Sequence, residues 1–436
     1  GAVGGNAGSF EVAGIRVDYG SHRLHPAADP EVLALIRRLL GADLIERPRH
    51  GRILLLGRWI HFPLRPLDLA LRIPPRFAVG VAADQVRKLV ARSPARDGES
   101  FAGVLERSLG RTMCEQFYFP FARKIWGLEP AEISAIQAHR RVSAGSVGKL
   151  VRRLLPGGSG GGAPRGIFLY PRRGYGEISE RLCEAAVACG ADVQLRATVS
   201  RVRSEPGGCE VEVDREGRRE TLRADHVWST VPVTALVRLL DPPPPAPILE
   251  AASSLGTRAM VLVYLVLAQD RFTEFDAHYF PGRDVPFTRI SEPKNYAAVE
   301  EPRGRTVLCA EIPCATGDAL WSRDDAALGE LVREGLGRAG LPVRAAVAEV
   351  VVRRIANVYP LYRRGYEVAF DRIDDWLGAI DGLLTFGRQG LFVHDNTHHA
   401  LYMALAAVRC LRSDGRFDRE AWSRYRDVFA THVVED

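Results

Sequence analysis

A nearly uncharged helix close to the C-terminus constrains the fold of this chain more than any other stretch. Over residues 400–411 the one strongly polar residue is Arg409, and a helix that is apolar on almost every side is buried inside a large protein. Asn396 and Thr397 stand just before it and are good caps for free backbone N–H groups. The sequence therefore predicts a buried helix that begins at a polar loop. That arrangement is either an anion site or an ordinary capped core helix.

Bulk composition argues against several classes of protein. At 436 residues the chain is too long for one ordinary core, so we expect two or three domains. A formal charge of +6 with scattered arginines gives nucleic-acid binding little support. The longest apolar run, residues 259–268, is far shorter than a bilayer span, so no transmembrane segment is expected. Seven cysteines without a CxxC pair predict reduced thiols, a cytoplasmic location and no metal site.

Helical and strand-like patterns alternate along the chain, which predicts a mixed α/β fold. The pattern is helical from 67 to 155. A later helix, which begins at Ile178, is followed by predicted strands at 192–195 and 198–202. Further strands, including 258–267, indicate a mostly antiparallel sheet before the last helices.

Short motifs spread over almost the whole chain occur in a fixed order. They are Val3-Gly4-Gly5, Asp18-Tyr19-Gly20-Ser21-His22, Lys124-Ile125-Trp126-Gly127, Tyr170-Pro171 with Gly174, Thr198-Val199, Ser229-Thr230-Val231-Pro232, and Gly387-Arg388 with Asn396-Thr397-His398. Each motif alone is weak, but the ordered set resembles the FAD-dependent amine oxidase and protoporphyrinogen oxidase-like flavoproteins. A secondary likeness is to UDP-galactopyranose mutase.

The resemblance implies FAD as the cofactor and gives each motif a role. Gly4 and Gly5 would approach the FAD pyrophosphate, and the loop around His22 would pass beside the flavin ring. The helix that begins near Asn396 would face the pyrimidine end of the flavin, where a helix dipole stabilises negative charge. The implied cofactor-binding residues are Gly4, Gly5, Gly20, Ser21, His22, Val199, Thr230, Pro232, Gly387, Arg388, Asn396, Thr397 and His398.

The same resemblance implies a two-dinucleotide-fold, Rossmann-like FAD/NAD(P)-binding domain with a helical subdomain and a mixed-sheet substrate domain. The expected segments are 1–66 (first part of the FAD domain and start of the substrate domain), 67–160 (helical subdomain), 161–240 (second part of the FAD domain), 241–364 (substrate-binding sheet) and 365–436 (C-terminal part of the FAD domain).

Two departures from the family pattern bear on the expected function. The opening strand and GxGxxG turn would lie before Gly1, so the FAD domain is expected to be incomplete and to bind FAD weakly or not at all. Arg388 stands where many amine oxidases have Asp. Gly-Arg occurs in mutase-like and some porphyrinogen oxidase-like members, so the substrate cannot be carried over and no catalytic residue is assigned.

Several named residues also have ordinary structural explanations. Arg172 and Tyr362 are candidate substrate-binding residues, yet paired arginines are often solvated and a tyrosine often packs in a core. His22 would equally satisfy a backbone carbonyl in its loop. His394, His398 and His399 lack acidic or cysteine partners at ligand spacing, so a metal site is not expected there.

The leading functional hypothesis is an FAD-dependent oxidoreductase that removes hydride from a small organic substrate. The alternatives are a mutase-like flavin-dependent isomerase, which would need reduced flavin, and a truncated homologue without catalysis. No nucleic-acid partner is expected. Peripheral membrane contact through the helical subdomain and the oligomeric state are left open.

Overall fold

The computed structural model describes residues 1–90, 99–141 and 166–434, so part of the predicted helical region 67–155 lies outside the described residues. Helices of several lengths occur throughout these ranges. The α-helices are Pro30–Leu40, Pro66–Arg72, Pro75–Val90, Phe101–Leu109, Arg111–Met113, Phe119–Trp126, Ala135–Arg141, Glu177–Ala188, Val233–Leu239, Ala246–Ser254, Pro293–Ala297, Ala319–Ser322, Asp325–Arg338, Tyr366–Gly378, Gly387–Gly390, Thr397–Cys410 and Arg419–Ala430. Short 3₁₀ turns lie at Gly5–Ala7, Gly41–Asp43 and Pro130–Glu132, and a π-helical segment lies at Cys114–Tyr118.

The strands form one large sheet and several small ones. In chain order they are β1 (Ser9–Val12), β2 (Ile15–Asp18), β3 (Leu44–Pro48), β4 (Gly51–Leu55), β5 (Arg58–Phe62), β6 (Ile167–Pro171), β7 (Ala197–Glu205), β8 (Gly208–Arg215), β9 (Arg218–Ala224), β10 (Val227–Ser229), β11 (Leu240–Asp241), β12 (Thr257–Leu267), β13 (Ala277–Tyr279), β14 (Arg289–Ser291), β15 (Thr306–Cys314), β16 (Val347–Pro360) and β17 (Leu383–Thr385).

The seven-stranded sheet has the order β16-β12-β15-β14-β13-β4-β5, and its centre is mostly antiparallel, as predicted. β12 pairs with β15 from Ala259 opposite Cys314 to Leu267 opposite Thr306. Its side chains alternate between two cores, because successive residues of a strand face opposite sides. Val261 packs toward the helix Asp325–Arg338, whereas Leu262 packs toward the β1–β2 hairpin. An apolar run is required here because both faces of the strand are covered.

Two parallel strands bring distant loops together. β10 pairs with β17 in parallel, with Val227 opposite Leu383, and parallel strands end at the same edge of a sheet. Just past this edge, a Cβ built on Gly387 would lie 3.6 Å from the Thr230 side chain. This edge therefore places the motif after β10 beside the motif after β17.

The predicted strand at residues 192–195 is wrong. This segment is exposed and irregular, and the chain enters β7 at Ala197 after Arg196, which has φ +56°. Val193 and Leu195 alternate with polar residues but are 40% and 46% exposed. Because no strand among the described residues pairs with this segment and no core covers one of its faces, the alternation does not produce a strand.

The apolar helix predicted near the C-terminus is Thr397–Cys410, and we call it the cavity helix. Met403 and Cys410 pack against the final helix, Arg419–Ala430, while Leu405 packs against the cluster around Pro30–Leu40. Val408, which is 59% exposed, and Arg409 lie on the solvent side. The helix is thus enclosed along most of its surface.

None of the described helices combines the length and apolar content that a bilayer-spanning helix needs. All seven cysteines lie in the described ranges and are free thiols.

Candidate functional site

A cavity of about 960 Å³ lies where the sheet, the N-terminal loops and the cavity helix meet. Pockets that bind small molecules and cofactors measure about 300–1,000 Å³. Met260 and Leu262 of β12 give it an apolar wall, whereas Gly4 and Gly5 contribute backbone. The cavity is therefore of a size and composition suited to an extended ligand with an apolar ring and polar groups.

The N-terminus of the cavity helix borders this space. The backbone N–H of Asn396 donates to Nδ1 of His399 at 3.2 Å, and the Asn396 side chain accepts from the N–H of His399. Asn396, Thr397 and Ala400 line the cavity. The positive end of the helix dipole therefore adjoins the cavity and favours a negatively charged ligand group there.

The loop that carries His22 is held by a buried ion pair. Glu311 accepts the Ser21 N–H at 2.7 Å, and it also accepts from Nε and Nη2 of Arg289 at 2.9 and 3.0 Å. Arg289 Nη2 donates to the Ser21 carbonyl at 3.0 Å. Gly20 at the start of the loop has φ +92°, a conformation that disfavours side chains. The ion pair thus fixes this loop against β14 and β15.

Asp18 joins three separate segments just before that loop. Its Oδ1 accepts from Ser9 Oγ at 2.6 Å and from the Tyr175 N–H at 2.8 Å, while its Oδ2 accepts from Tyr170 Oη at 2.6 Å. The Asp18 carbonyl accepts from Tyr264 Oη at 2.6 Å. Burial raises the pKa of Asp18 to about 6, although the hydrogen bonds oppose this shift.

Two glycines allow the segment that follows β6 to reach Asp18. Gly174 has φ +88°, and a Cβ there would lie 2.8 Å from Ser9 Oγ and 3.1 Å from Asp18 Oδ1. A Cβ on Gly176 would lie 2.4 Å from the Ser9 nitrogen. The glycines of this motif are needed for close packing, and their role in the site is to support the Asp18 loop.

His22 presents a neutral imidazole at the cavity. Its ring stacks on Tyr175 at a centroid distance of 5.1 Å, and it forms a backbone hydrogen bond with Gly20 in its own loop. Burial lowers the pKa of His22 to about 3, and the nearby charges of Arg289 and Arg388 act in the same direction. The ring therefore carries no charge at neutral pH and could exchange a hydrogen bond with a ligand.

Arg388 supplies a fixed positive charge to the lining of the large cavity. It follows β17 in the short helix Gly387–Gly390, and its Nη2 donates to the Val358 carbonyl at 2.6 Å. Its guanidinium carbon lies 5.2 Å from the Tyr359 ring centroid. Because Gly387 has φ +78°, a side chain at that position would be strained.

A second, smaller cavity of about 310 Å³ is linked to the lining of the large cavity through Arg23. Arg23 donates to Tyr279 Oη at 2.8 Å and to Tyr296 Oη at 3.0 Å, and it lies 3.1 Å from Asp276. Asp276 lines the small cavity, whereas Tyr279 lines the large one. Arg23 therefore connects the polar linings of the two cavities.

Three side chains near the helix N-terminus have the spacing of metal ligands. Ligand atoms of Asp395, His399 and His432 lie within 4.8 Å of one another. His432 Nδ1 lies 3.0 Å from Asp395 Oδ2, and Arg140 Nη1 lies 3.4 Å from Asp395 Oδ1. Burial is the main cause that lowers the pKa of His399 to about 4. The folded chain thus gives His399 an acidic neighbour, Asp395, and a second histidine, His432, which is far from it in the sequence. Sequence spacing did not reveal this group. Hydrogen bonds and Arg140 already satisfy the carboxylate, and we assign no metal to the group.

Most of the sequence-predicted cofactor residues come together around the large cavity. Those in its lining are Gly4, Gly5, Gly20, Ser21, His22, Thr230, Pro232, Gly387, Arg388, Asn396 and Thr397.

Four predicted site residues lie outside this lining. Val199 is on β7 and pairs with Val213, and His398 is buried within the first turn of the cavity helix. Arg172 is exposed. Tyr362 is 2% exposed and stacks on Tyr366 at 4.2 Å. The binding roles of these four stay predictions, and for Tyr362 the packing gives a structural role.

Arg23, Arg289 and Glu311 also line the cavity, although none of the sequence motifs includes them. Glu311 was detectable as a lone carboxylate in the apolar strand β15, where only a buried partner makes it tolerable. Arg289 lies in the next strand, but its pairing with Glu311 and with Ser21 depends on the folded sheet.

A sequence profile described as "Flavin containing amine oxidoreductase" matches residues 1–372. The chain belongs to this family. It is an FAD-dependent oxidoreductase of the amine oxidase type. A search of curated protein sequences finds no match.

Solved structures of low sequence identity share the fold of this amine oxidoreductase. A reduced UDP-galactopyranose mutase is 18% identical with a TM-score of 0.79, and the match covers 100% of this chain and 92% of that one. A putative protoporphyrinogen oxidase from Exiguobacterium sp. 255-15 is 21% identical with a TM-score of 0.66, covering 88% and 86%. Wild-type putrescine oxidase bound to putrescine is 18% identical with a TM-score of 0.62, covering 98% and 92%.

The cavity residues of this amine oxidoreductase fit a flavin dinucleotide. Gly4, Gly5 and Gly387 all have positive φ, and a Cβ on Gly5 would meet no atom within 4 Å, so a ligand can approach this backbone closely. The helix N-terminus at Thr397 suits a negatively charged group, and Arg388 adds a fixed cation.

Proposed function

We propose that the large cavity holds FAD and that substrate is oxidised against it on the side of the seven-stranded sheet. The observation that carries the proposal is the composition of this one space. It is bordered by glycine backbone and a helix N-terminus on one side, and by the apolar side chains of Met260, Leu262 and Ile125 on the other. When bound, FAD would supply the hydride acceptor, which is chemistry that protein side chains lack.

We assign cofactor contacts to the predicted residues in the lining. The backbone of Gly4 and Gly5 would bind phosphate oxygens. Arg388 would contribute charge, and the helix N-terminus at Thr397 would stabilise negative charge on the ring. His22, kept neutral by burial, would orient the ring or the substrate through a hydrogen bond and would not repel a cation.

We propose a small organic substrate with a C–H bond next to nitrogen or to a double bond. The carbon would pass its hydride to the flavin and a conjugated N–H or C–H group would release a proton, so the product contains one more double bond. The two electrons then pass to oxygen or to another acceptor. The apolar wall and the aromatic ring of Tyr359 would exclude water and hold the carbon skeleton.

The division into FAD, helical and substrate segments is proposed on the same grounds, because the motif-bearing loops and the seven-stranded sheet meet at the cavity from different parts of the chain. A Rossmann-like FAD domain and a cytoplasmic location remain predictions, and the free thiols support the second.

The test is to titrate the purified chain with FAD, follow binding by flavin fluorescence, and add a panel of amines and cyclic compounds without oxygen. We expect FAD to bind, contrary to the weak binding expected from the sequence motifs, because the described residues already line a cavity suited to it. One compound class should then bleach the flavin, with oxygen uptake when air is admitted. Turnover of a sugar nucleotide only after dithionite reduction would instead support the isomerase alternative. Absence of both activities in FAD-loaded protein would contradict the proposal.

A further inference from the structure

Lys124 is a half-buried lysine on a helix that borders the large cavity. Phe121 and Ile125 of the helix Phe119–Trp126 line that cavity, and Ile125 directly follows Lys124 in the chain. Lys124 itself is outside the lining, and its amine contacts the loop between β13 and β14 instead. The lysine of this sequence motif therefore needs a role other than direct contact with a ligand.

The Lys124 amine bonds to both ends of one loop. Its Nζ donates to the Phe280 carbonyl at 2.7 Å and to the Phe287 carbonyl at 3.1 Å. These two ends are already close, because the Phe280 N–H donates to the Thr288 carbonyl at 2.9 Å. Tyr279 and Thr288, which adjoin the two acceptor residues, line the large cavity. One side chain thus joins a helical wall of the cavity to a wall formed by the seven-stranded sheet.

The two walls belong to different hydrophobic cores. The rings of Phe280 and Phe287 meet edge to face at a centroid distance of 4.8 Å and pack in the core of the seven-stranded sheet. A Cβ built on Gly335 would lie 2.6 Å from the Phe287 ring, so this glycine lets the helix Asp325–Arg338 pack directly on the loop. The helix Phe119–Trp126 packs in a separate cluster with Phe101. Lys124 therefore makes a polar connection between two cores.

We propose that Lys124 is a positioning residue that joins these two cores and so fixes the width of the large cavity where substrate binds. This inference rests on the function proposed above, since it takes the part of the cavity between Ile125 and Tyr279 as the substrate end. Hydrogen bonds have a preferred distance and angle, so two of them hold the helix in register with the loop. Small displacements at such a wall change how well a substrate is oriented.

The surroundings of Lys124 favour its neutral amine. Burial lowers the pKa of Lys124 from 10.5 to about 7, although the negative charge of Asp284 opposes this shift. A neutral amine has two N–H groups, which matches the two carbonyl acceptors. The ammonium has a third N–H, for which the described residues offer no acceptor. Lys294 differs, because its Nζ donates to three carbonyls.

The pH dependence of this contact follows from its charge. Of the other charged side chains nearby, Arg123 pairs with Glu129 at 2.8 Å, and Arg258 of β12 packs beside the end of the same helix. Opening the contact would return the Lys124 amine to water and its pKa to the ordinary value. Between pH 7 and 10.5 the open state therefore binds more protons than the closed state, and the contact becomes more stable as pH rises through this window.

The experiment is hydrogen–deuterium exchange of the full chain without FAD, read by mass spectrometry for the peptide 119–127 and corrected for the intrinsic rate. We expect protection in the native chain that is constant below about pH 7 and rises above it. Lys124→Met should exchange roughly tenfold faster at about pH 8, as expected for the loss of one net hydrogen bond, and should show no such rise. The matched control is Lys88→Met, which removes another half-buried lysine. Lys88 donates to the Ser108 carbonyl at 2.8 Å, and its loss should leave this peptide unchanged.

A second variant tests the charge of Lys124 without removing its hydrogen bonds. Asp284→Asn should move the rise in protection to lower pH, because Asp284 supplies the negative charge that favours the ammonium. The native and Asp284→Asn profiles decide the question if circular dichroism shows that Lys124→Met is unfolded. A flat native profile would overturn the proposal, and so would an equal loss of protection in Lys88→Met.

Turnover separates a positioning role from a purely structural one. With a compound that bleaches the bound flavin, Lys124→Met should raise KM with little change in kcat, because the looser wall binds substrate less well. An unchanged KM in a variant that has lost protection would restrict Lys124 to stability and refute the positioning role. Because the exchange experiment uses no FAD, its result is independent of whether the proposed function is correct.

Discussion

The backbone N–H of Ser21 donates to the carboxylate of Glu311 at 2.7 Å, although 290 residues separate them in the sequence. Through this bond the central strand β15 holds the loop that carries His22. Arg289 closes the arrangement by binding both the Glu311 carboxylate and the Ser21 carbonyl. The cavity loop is thus part of the sheet's own polar network, and its position depends on a buried charge pair.

Replacing Glu311 with Ala is expected to lower the free energy of unfolding by about 3 kcal/mol, because Arg289, whose side chain is 19% exposed, would lose its carboxylate partner in a largely buried position. Chemical denaturation with urea measures this change. Glu311→Gln keeps one acceptor oxygen and should cost less. The control is Glu330→Ala, which breaks the exposed Glu330–Arg333 pair and should cost about 1 kcal/mol or less. Equal losses for the two alanine variants would refute the buried clamp.

Asp18 should make stability depend on pH. Its pKa is raised from 3.8 to about 6 in the folded chain, so between these values the native state binds more protons than the unfolded state. The Asp18 contribution to the free energy of unfolding therefore falls as pH rises through this window and is constant above it. Asp18→Asn should remove that contribution, which urea unfolding from about pH 4 to 7 will reveal. An unchanged pH slope would contradict the assignment.

His22 should act in the opposite direction. Its pKa is lowered from 6.5 to about 3 in the folded chain, so the unfolded state binds more protons between these values. The His22 contribution to stability is present above pH 6.5 and is lost as pH falls toward 3. His22→Gln should therefore lose less stability than the native chain on acidification. His139→Gln, at an exposed position, serves as control and should follow the native curve.

The cap at Asn396 should matter for both stability and the cofactor. Asn396→Ala removes the capping side chain and should cost about 1 kcal/mol of stability. It should also weaken FAD binding, measured by flavin fluorescence titration, because the loosened helix N-terminus borders the cavity. Asp324→Ala removes a comparable cap on the helix Asp325–Arg338, where Asp324 accepts the Ala327 N–H at 2.8 Å. It should cost similar stability without changing FAD affinity. If Asn396→Ala and Asp324→Ala weaken FAD affinity equally, the loss would reflect general destabilisation and would contradict a specific role of the Asn396 cap.

Local patterns predicted much of the fold. The helix Glu177–Ala188, the strand β7 and the central strand β12 all lie close to where periodicity indicated them. Their signals are reliable because each element buries one face or both, and burial selects apolar residues at a fixed spacing. The segment 192–195 had a similar alternation, but no strand in the described part of the chain lies beside it, and so the same pattern failed there.

The sequence by itself determined the elements, the family motifs and the polar loop before the cavity helix, because these depend on residues within a few positions of one another. Tertiary structure alone decided that Glu311 and Arg289 hold the Ser21 loop, that Asp18 joins Ser9, Tyr170 and Tyr264, and that Tyr362 packs in a core rather than in the cavity. The physical reason is distance along the chain. A buried charge or hydrogen bond is satisfied by whichever group the fold brings within about 3 Å, and no local pattern records that partner.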